Sequence, residues 1–497
     1  MKFTRRNLLL GGLSIGAASL GVTPRLAFPN SPGADLIVLI PGILGSVLSI
    51  NGKDVWAPSA RALSRALVTL GGSAHDLTLH SDGSTVDGVR AARLVDDVHL
   101  IPGLWKIDGY SKIQKTLLNL PGVTLGENFF TFPYDWRLDN RIAAKAFAQI
   151  APIWLSKWRK RSGNPNAKLI LLGHSMGGLI SRYYLECLGG WQVTKFLVTF
   201  GTPYRGSLDA LHTLISGTHI RVGNVELADL SPFTRSLTSV YQLLPTYACI
   251  ELQKGKLVRI AEAASLPNVV KGRVSDAQAF HVEIATAVAS NRKDAKYLEG
   301  GYQIVPIVGT NQPTLQAARL SMTNDVEFLG QFPGQSIDGD GTVPRPSATP
   351  PEFSGSNREI FVSELHASLQ NSPSVLQQLS GLISGQTIDW NAFRAPQRSL
   401  SLQVPTISSS RQSIEVQGTY GGVAGKPETH VVVQDAATGT DVASVPCVAR
   451  LGKLSGTIPP LPDGTYRITM TMQDMGGLET QSVTDVCVVI DPATIPR

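Results

Sequence analysis

Cysteine is scarce in this chain. Four occur in 497 residues, Cys187, Cys249, Cys447 and Cys487, and no C-x-x-C pair is present. That excludes a structural zinc site built on paired thiolates. Cys447 and Cys487 share the C-terminal segment and would be able to pair in an oxidising compartment; their spacing leaves the pairing open. Charge is also thin, at 16% of residues, and the net value of +6 is small for this length. With no nucleic-acid-binding motif, no nucleic-acid partner is expected. The densest basic run, Lys157-Trp158-Arg159-Lys160-Arg161, reads as the solvated end of a helix. The alternative is weak attraction to an anionic lipid surface, a peripheral membrane contact. Beyond the N-terminal segment no apolar run is long enough to cross a bilayer. Internal repeats and low-complexity tracts are missing too, which excludes solenoid and disordered classes.

What is present suits a large globular protein of several domains. The first 30 residues read as an address label. Paired arginines in Thr4-Arg5-Arg6-Asn7-Leu8-Leu9-Leu10 precede a mildly apolar, Gly/Ala-rich stretch to about Val22. This resembles a twin-arginine export signal, so a periplasmic or extracellular protein is expected.

From about residue 31 to 395, apolar runs alternate with helical periodicity. Asp35–Ile40, Asn128–Phe132, Lys168–Leu172, Lys195–Phe200, Gln303–Val308 and Glu359–Val362 have the unbroken apolar character of strands buried on both faces. Arg141–Arg161 and Leu179–Leu188 read as helices, the second ended by Gly189-Gly190. This pattern predicts an α/β fold with a parallel sheet between helices. Residues of about 204–300 interrupt it with helix-leaning sequence, expected to form a mostly helical cap above a site. From about residue 400 to 497 helical periodicity gives way to two-residue alternation, as in Tyr466–Met472. Turns such as Pro462-Asp463-Gly464 lie between. That predicts an all-β, immunoglobulin-like sandwich.

The strongest chemical signal is Gly173-His174-Ser175-Met176-Gly177-Gly178. It follows a strand and opens a helix, the context that gives G-x-S-x-G its meaning. The chain must turn sharply at Ser175 to raise the hydroxyl above the sheet edge, and glycines at 173 and 177 remove colliding side chains. The new helix supplies positive potential and the Met176 N–H as an oxyanion donor. A second donor is expected from the loop after the first strand, Pro41-Gly42-Ile43-Leu44-Gly45-Ser46, with the Ile43 N–H the best placed. A serine hydroxyl needs a base. Chain order in this fold places the histidine last, and of the nine histidines only His366 and His430 follow the cap. His430 lies in the predicted sandwich. His366 follows the last core strand, where a base would overhang the sheet edge. The orienting acid would come from Asp338-Gly339-Asp340-Gly341, with either aspartate a candidate; the turn is too short to make a full calcium site. No cofactor or metal is called for.

Several stretches, in order, resemble the lecithin:cholesterol acyltransferase family, which includes lysosomal-type phospholipases and phospholipid:diacylglycerol acyltransferases. They are IPGILGS (Ile40–Ser46), FPYDWRLDNR (Phe132–Arg141), LLGHSMGG (Leu171–Gly178), FGTPYRGS (Phe200–Ser207), DGDGTVP (Asp338–Pro344) and His366. The resemblance covers most of residues 35 to 370. It implies an α/β-hydrolase fold, with Ser175 as nucleophile, Asp340 rather than Asp338 as the acid, and His366 as the base. It also implies Ile43 and Met176 as the oxyanion hole. The activity it implies is acyl transfer or hydrolysis on phospholipids or other long-chain esters, to water or an alcohol. Sterol-specific members carry a disulfide-bounded lid near the N-terminus; here no cysteine precedes Cys187, so that device is excluded. The readings weighed against a lipid enzyme are a short-chain esterase or peptidase on the same triad, and a surface binding protein on a hydrolase scaffold. Asp135 and Arg137, in FPYDWRLDNR, are expected to form a structural network.

Overall fold

The computed structural model describes residues 34–56, 77–80, 88–96, 98–100, 106–222, 225–263, 265–353, 359–385, 398–423, 425–473, 480–491 and 493. The segment read as an export signal, residues 1–30, lies outside these. Among the described residues no helix is long and apolar enough to cross a membrane.

Each of the six predicted core strands forms and joins one sheet. They are β1 (Leu36–Ile40), β2 (Phe129–Thr131), β3 (Leu169–His174), β4 (Thr194–Phe200), β5 (Gln303–Gly309) and β6 (Ile360–Val362). All pairings are parallel, in the order β6-β5-β4-β3-β1-β2. Every residue of β1 and β3 is buried, which explains why these strands show no polar alternation in sequence. Helix α1 (Asn140–Ser162) starts at Asp139, whose side chain accepts the Arg141 N–H, and ends at the left-handed Gly163. The basic run falls in its last turns, where cations oppose the helix dipole. Helix α2 (Met176–Cys187) is buried from Met176 through Glu186. It packs on α1 through an edge-to-face contact of Phe147 with Tyr184, 4.8 Å between centroids.

The stretch expected to form a cap begins with α3 (Leu208–Ser216) and a small hairpin, His219–Val222 with Val225–Asp229. Its long helix, α4 (Lys271–Asn291), runs beside α2, with Phe280 stacked on Tyr183 at 5.6 Å. Helix α5 (Pro373–Ile383) closes the α/β portion.

The C-terminal residues form two facing antiparallel-rich sheets. One contains β7 (Ser399–Leu400), β9 (Ile414–Gly421), β12 (Val448–Arg450) and β13 (Lys453–Ile458). The other contains β8 (Ile407–Ser409), β10 (Glu428–Asp435), β11 (Asp441–Pro446), β14 (Gly464–Gln473) and β15 (Thr480–Ile490). Inward residues at two-residue spacing, Val431 with Val433 and Ile468 with Met470, fill its core. All four cysteines are free thiols. Val486, Val488 and Ile490 of β15 belong instead to the α/β core, so the sandwich is docked on the α/β portion. Polar ties reinforce this. Asp485 pairs with Lys106 at 2.9 Å, Arg467 pairs with buried Asp108, and the Thr484 N–H donates to Glu364 at 2.8 Å.

Candidate active site

The strand β3 ends at His174, and the chain reverses at Ser175 with φ 51° and ψ −121° before α2 begins. A non-glycine residue in this region is strained and must be held by its surroundings. Three hydrogen bonds do so. The Ser175 N–H donates to Phe200 O at 2.9 Å. Its carbonyl accepts the Thr202 hydroxyl at 2.9 Å and the Gly178 N–H at 3.0 Å. The expected need for glycine is met: a Cβ at 177 would lie 2.4 Å from the Ile40 carbonyl oxygen.

The three side chains expected to converge do so over the carboxyl ends of the strands. His366 Nε2 is 2.9 Å from Ser175 Oγ, and His366 Nδ1 is 2.8 Å from Asp340 Oδ2. Asp340 is wholly buried, and Ser175 and His366 are nearly so. The second oxygen of Asp340 accepts the N–H groups of Thr342 and Val343, at 3.0 and 2.6 Å. Its carbonyl accepts the His366 N–H at 2.8 Å. Asp340 and His366 are therefore tied through backbone as well as side chain. Asp338, the other candidate acid, turns away: its carboxylate accepts the N–H groups of Asn311 and Gly339, at 2.6 and 2.7 Å.

Met176 and the loop that carries Ile43 both lie beside Ser175. Met176 is the first residue of α2, where no intrahelical acceptor exists for its N–H. The loop after β1 runs past the elbow, and a Cβ on Gly42 would stand 3.0 Å from Ser175 Cβ. Ile43, next in the chain, is buried. Tyr134 and Trp136 brace this loop from below. The Tyr134 hydroxyl donates to Pro41 O at 2.8 Å, and the Trp136 indole donates to Ser46 O at 3.0 Å. The Asp135–Arg137 network is present: the fully buried guanidinium grips Asp135 through two bonds of 2.9 and 2.6 Å and donates to Leu77 O.

The profile of the lecithin:cholesterol acyltransferase family matches residues 84–375, more than half of the chain. The chain belongs to that family. It is an acyltransferase or ester hydrolase of the lipid-ester class, as its family indicates. No match was found among curated proteins. Among solved structures, a Bacillus licheniformis lipase, BlEst2, is similar in its propeptide form at 10% identity, over 94% of this chain and 97% of that one, with a TM-score of 0.29. Its mature form is 14% identical over 73% and 96%, with a TM-score of 0.27. The CARDB domain of the PF1109 protein of Pyrococcus furiosus is 21% identical over 19% of this chain and 87% of its own, with a TM-score of 0.14. Likenesses this slight bear on nothing mechanistic.

Two residues of this family member's site were not singled out from sequence. Gly201, at the end of β4, has φ 59°, and a Cβ there would sit 2.8 Å from both Asp340 Oδ2 and His366 Nδ1. Only glycine lets β4 pass under the acid–base pair; a glycine directly after a core strand was the available signal. Asp209, in the first turn of α3, lies close enough to feel the charges of Asp340 and His366. Desolvation first, and Asp340 second, push its carboxyl up to about 7.

Proposed function

We propose that this protein is a serine acyltransferase and lipase for long-chain lipid esters, with a phospholipid as acyl donor and water or an alcohol as acceptor. Ser175 is the nucleophile, His366 the general base and Asp340 the acid that fixes the imidazole; the N–H groups of Ile43 and Met176 form the oxyanion hole. The observation that carries this reading is the unbroken chain Ser175 Oγ–His366 Nε2–His366 Nδ1–Asp340 Oδ2, at 2.9 and 2.8 Å.

In this reading His366 Nε2 takes the Ser175 proton as Oγ attacks the ester carbonyl. The negative charge on the carbonyl oxygen is met by two fixed N–H dipoles at the mouth of α2. Collapse of the tetrahedral species breaks the bond to the leaving alcohol, which departs with the proton returned by imidazolium. Water or a second alcohol, deprotonated by the same His366, then attacks the acyl-serine, and Oγ leaves and regains its proton. Hydrolysis and transfer are two outcomes of one intermediate. Export through the twin-arginine-type N-terminus belongs to the same proposal, as does contact with a lipid surface.

Lipid mass spectrometry tests this reading. Mixed phospholipids are incubated with wild type or Ser175→Ala, with and without an added long-chain alcohol. Lysophospholipid with matching fatty acid or fatty ester, from wild type only, is expected. Turnover confined to the shortest p-nitrophenyl esters, with phospholipids untouched, would favour the short-chain esterase.

A further inference from the structure

The nucleophile motif holds a second histidine that the mechanism does not use. His174, the last residue of β3, is almost wholly buried. Its Nε2 lies 3.2 Å from the backbone carbonyl oxygen of His366. A carbonyl can only accept, so Nε2 carries the proton and Nδ1 presents a bare lone pair. That lone pair lies 2.8 Å from the hydroxyl of Tyr110, which is itself fully buried. The hydroxyl therefore donates to His174, and its oxygen accepts the Gly42 N–H at 2.8 Å. One direction of donation satisfies every group in the series: Gly42 N–H to Tyr110, Tyr110 O–H to His174, His174 Nε2–H to His366.

Burial reinforces this assignment. Desolvation first, and the neighbouring His366 second, push His174 down to about 3, so its neutral form is kept. Desolvation also pushes the Tyr110 phenol well above its ordinary range. The loop is moulded to the phenol: a Cβ on Gly45 would meet Tyr110 Oη at 2.8 Å.

We propose that Tyr110 and His174 are positioning residues, a hydrogen-bonded strut of a single tautomer that fixes the oxyanion loop at Gly42–Ile43 relative to the backbone of His366. This rests on the triad and oxyanion-hole reading given above and extends it. One end of the strut holds the peptide that leads into the Ile43 donor. The other holds the segment that carries the base. The two groups that must act on opposite sides of the same tetrahedral centre are thus set against each other by three bonds, independently of substrate. Removing the Tyr110 hydroxyl while keeping its ring leaves packing intact but strands Gly42 N–H and His174 Nδ1 without partners. The loss falls on stabilisation of the developing oxyanion rather than on substrate affinity.

The test is steady-state hydrolysis of a long-chain p-nitrophenyl ester by wild type, Tyr110→Phe, His174→Asn and the double variant. Sites are counted by fluorophosphonate labelling run to completion, so that misfolded protein is not scored. His174→Asn offers an amide oxygen where Nδ1 stood but does not reach the His366 carbonyl. The kcat per labelled site should fall about tenfold or more in each single variant, with KM within about twofold of wild type. The double variant should fall no further than the worse single variant by more than about threefold, because one strut can be broken only once. A kcat in Tyr110→Phe within about twofold of wild type, a loss confined to KM, or effects that multiply would each overturn the strut while leaving the triad standing. Wild-type turnover without phosphonylation of Ser175 would overturn the triad reading and the strut together.

Discussion

Gly201 lies directly beneath His366: a methyl group at position 201 would come within 2.8 Å of the His366 Nδ1 that meets Asp340. The backbone there is left-handed, φ 59°, which costs an L-residue with a Cβ about 1–2 kcal/mol. The methyl of Gly201→Ala must either part the acid from the base or displace β4. Ester turnover should therefore fall by at least about a hundredfold, with a drop in thermal midpoint, because the pair that stabilises the imidazolium is disrupted. A variant with wild-type kcat/KM would mean that the Asp340–His366 contact does not govern the rate.

Asp340→Asn keeps the shape of the acid but offers no charge to the imidazolium. An amide also lets the imidazole adopt the wrong tautomer. Loss of about three to four orders of magnitude in kcat is expected from the triad precedent. Asp338→Asn should stay within about tenfold of wild type, since its carboxylate accepts the turn N–H groups of Asn311 and Gly339 and makes no bond to His366. Parallel kinetics of the two variants decide between the neighbouring aspartates.

Glu364, two residues before His366, is buried against β15 and accepts the N–H groups of Thr484 and Leu365 at 2.8 and 3.0 Å. Burial outweighs these donors and pushes its carboxyl up to about 8. A group raised in the folded state stabilises below its unfolded pKa, and that contribution is lost as pH climbs through the folded value. Between about pH 4.5 and 8 the folded form holds a proton that the unfolded form has released, so stability falls with a slope of up to about 1.4 kcal/mol per pH unit. Glu364→Gln has no proton to release and keeps an acceptor oxygen. Its thermal midpoint should gain on wild type as pH rises across this window; parallel midpoints would contradict the assignment.

The sandwich is anchored by Arg467 on Asp108, whose side chain is only 3% exposed. Removing Arg467 takes the guanidinium from a buried carboxylate that keeps only weaker support, such as the Asn371 amide at 3.2 Å; breaking a buried pair in this way costs about 3–5 kcal/mol. Arg467→Met should lower the unfolding midpoint markedly, and adding Asp108→Asn should restore much of the loss. Chemical denaturation of wild type and the two variants checks this. If Arg467→Met alone leaves stability unchanged, the docking of the sandwich does not depend on this pair.

How much of this was legible in the sequence follows from what each residue depends on. The core strands could be read because a strand covered on both faces must be apolar throughout, and Leu36–Ile40 and Leu169–Leu172 are. Ser175 and His366 could be read because the elbow constrains local sequence and chain order then prunes the histidines; the acid could be narrowed only to Asp338 or Asp340, and the family resemblance alone favours Asp340. Tyr110 could not. It lies outside any periodic segment, and its role exists only where β1, β3 and the His366 segment meet. His174 stood in plain view as the first unspecified residue of G-x-S-x-G, but its tautomer is set by a carbonyl 192 positions away. Glu364 and Arg467 were silent for the same reason. The alternation of the C-terminal strands predicts a sandwich but not which edge packs on the hydrolase, because β15 serves two cores with one strand.

The central claim is that Ser175, driven by His366, is the acylated nucleophile. Intact-mass and peptide mapping after treatment with a fluorophosphonate tests it most directly. The account predicts one adduct per chain, on Ser175, with labelling slowed by about three orders of magnitude or more in His366→Ala. An unlabelled wild type, an adduct on another residue, or equal labelling rates with and without His366 would contradict it.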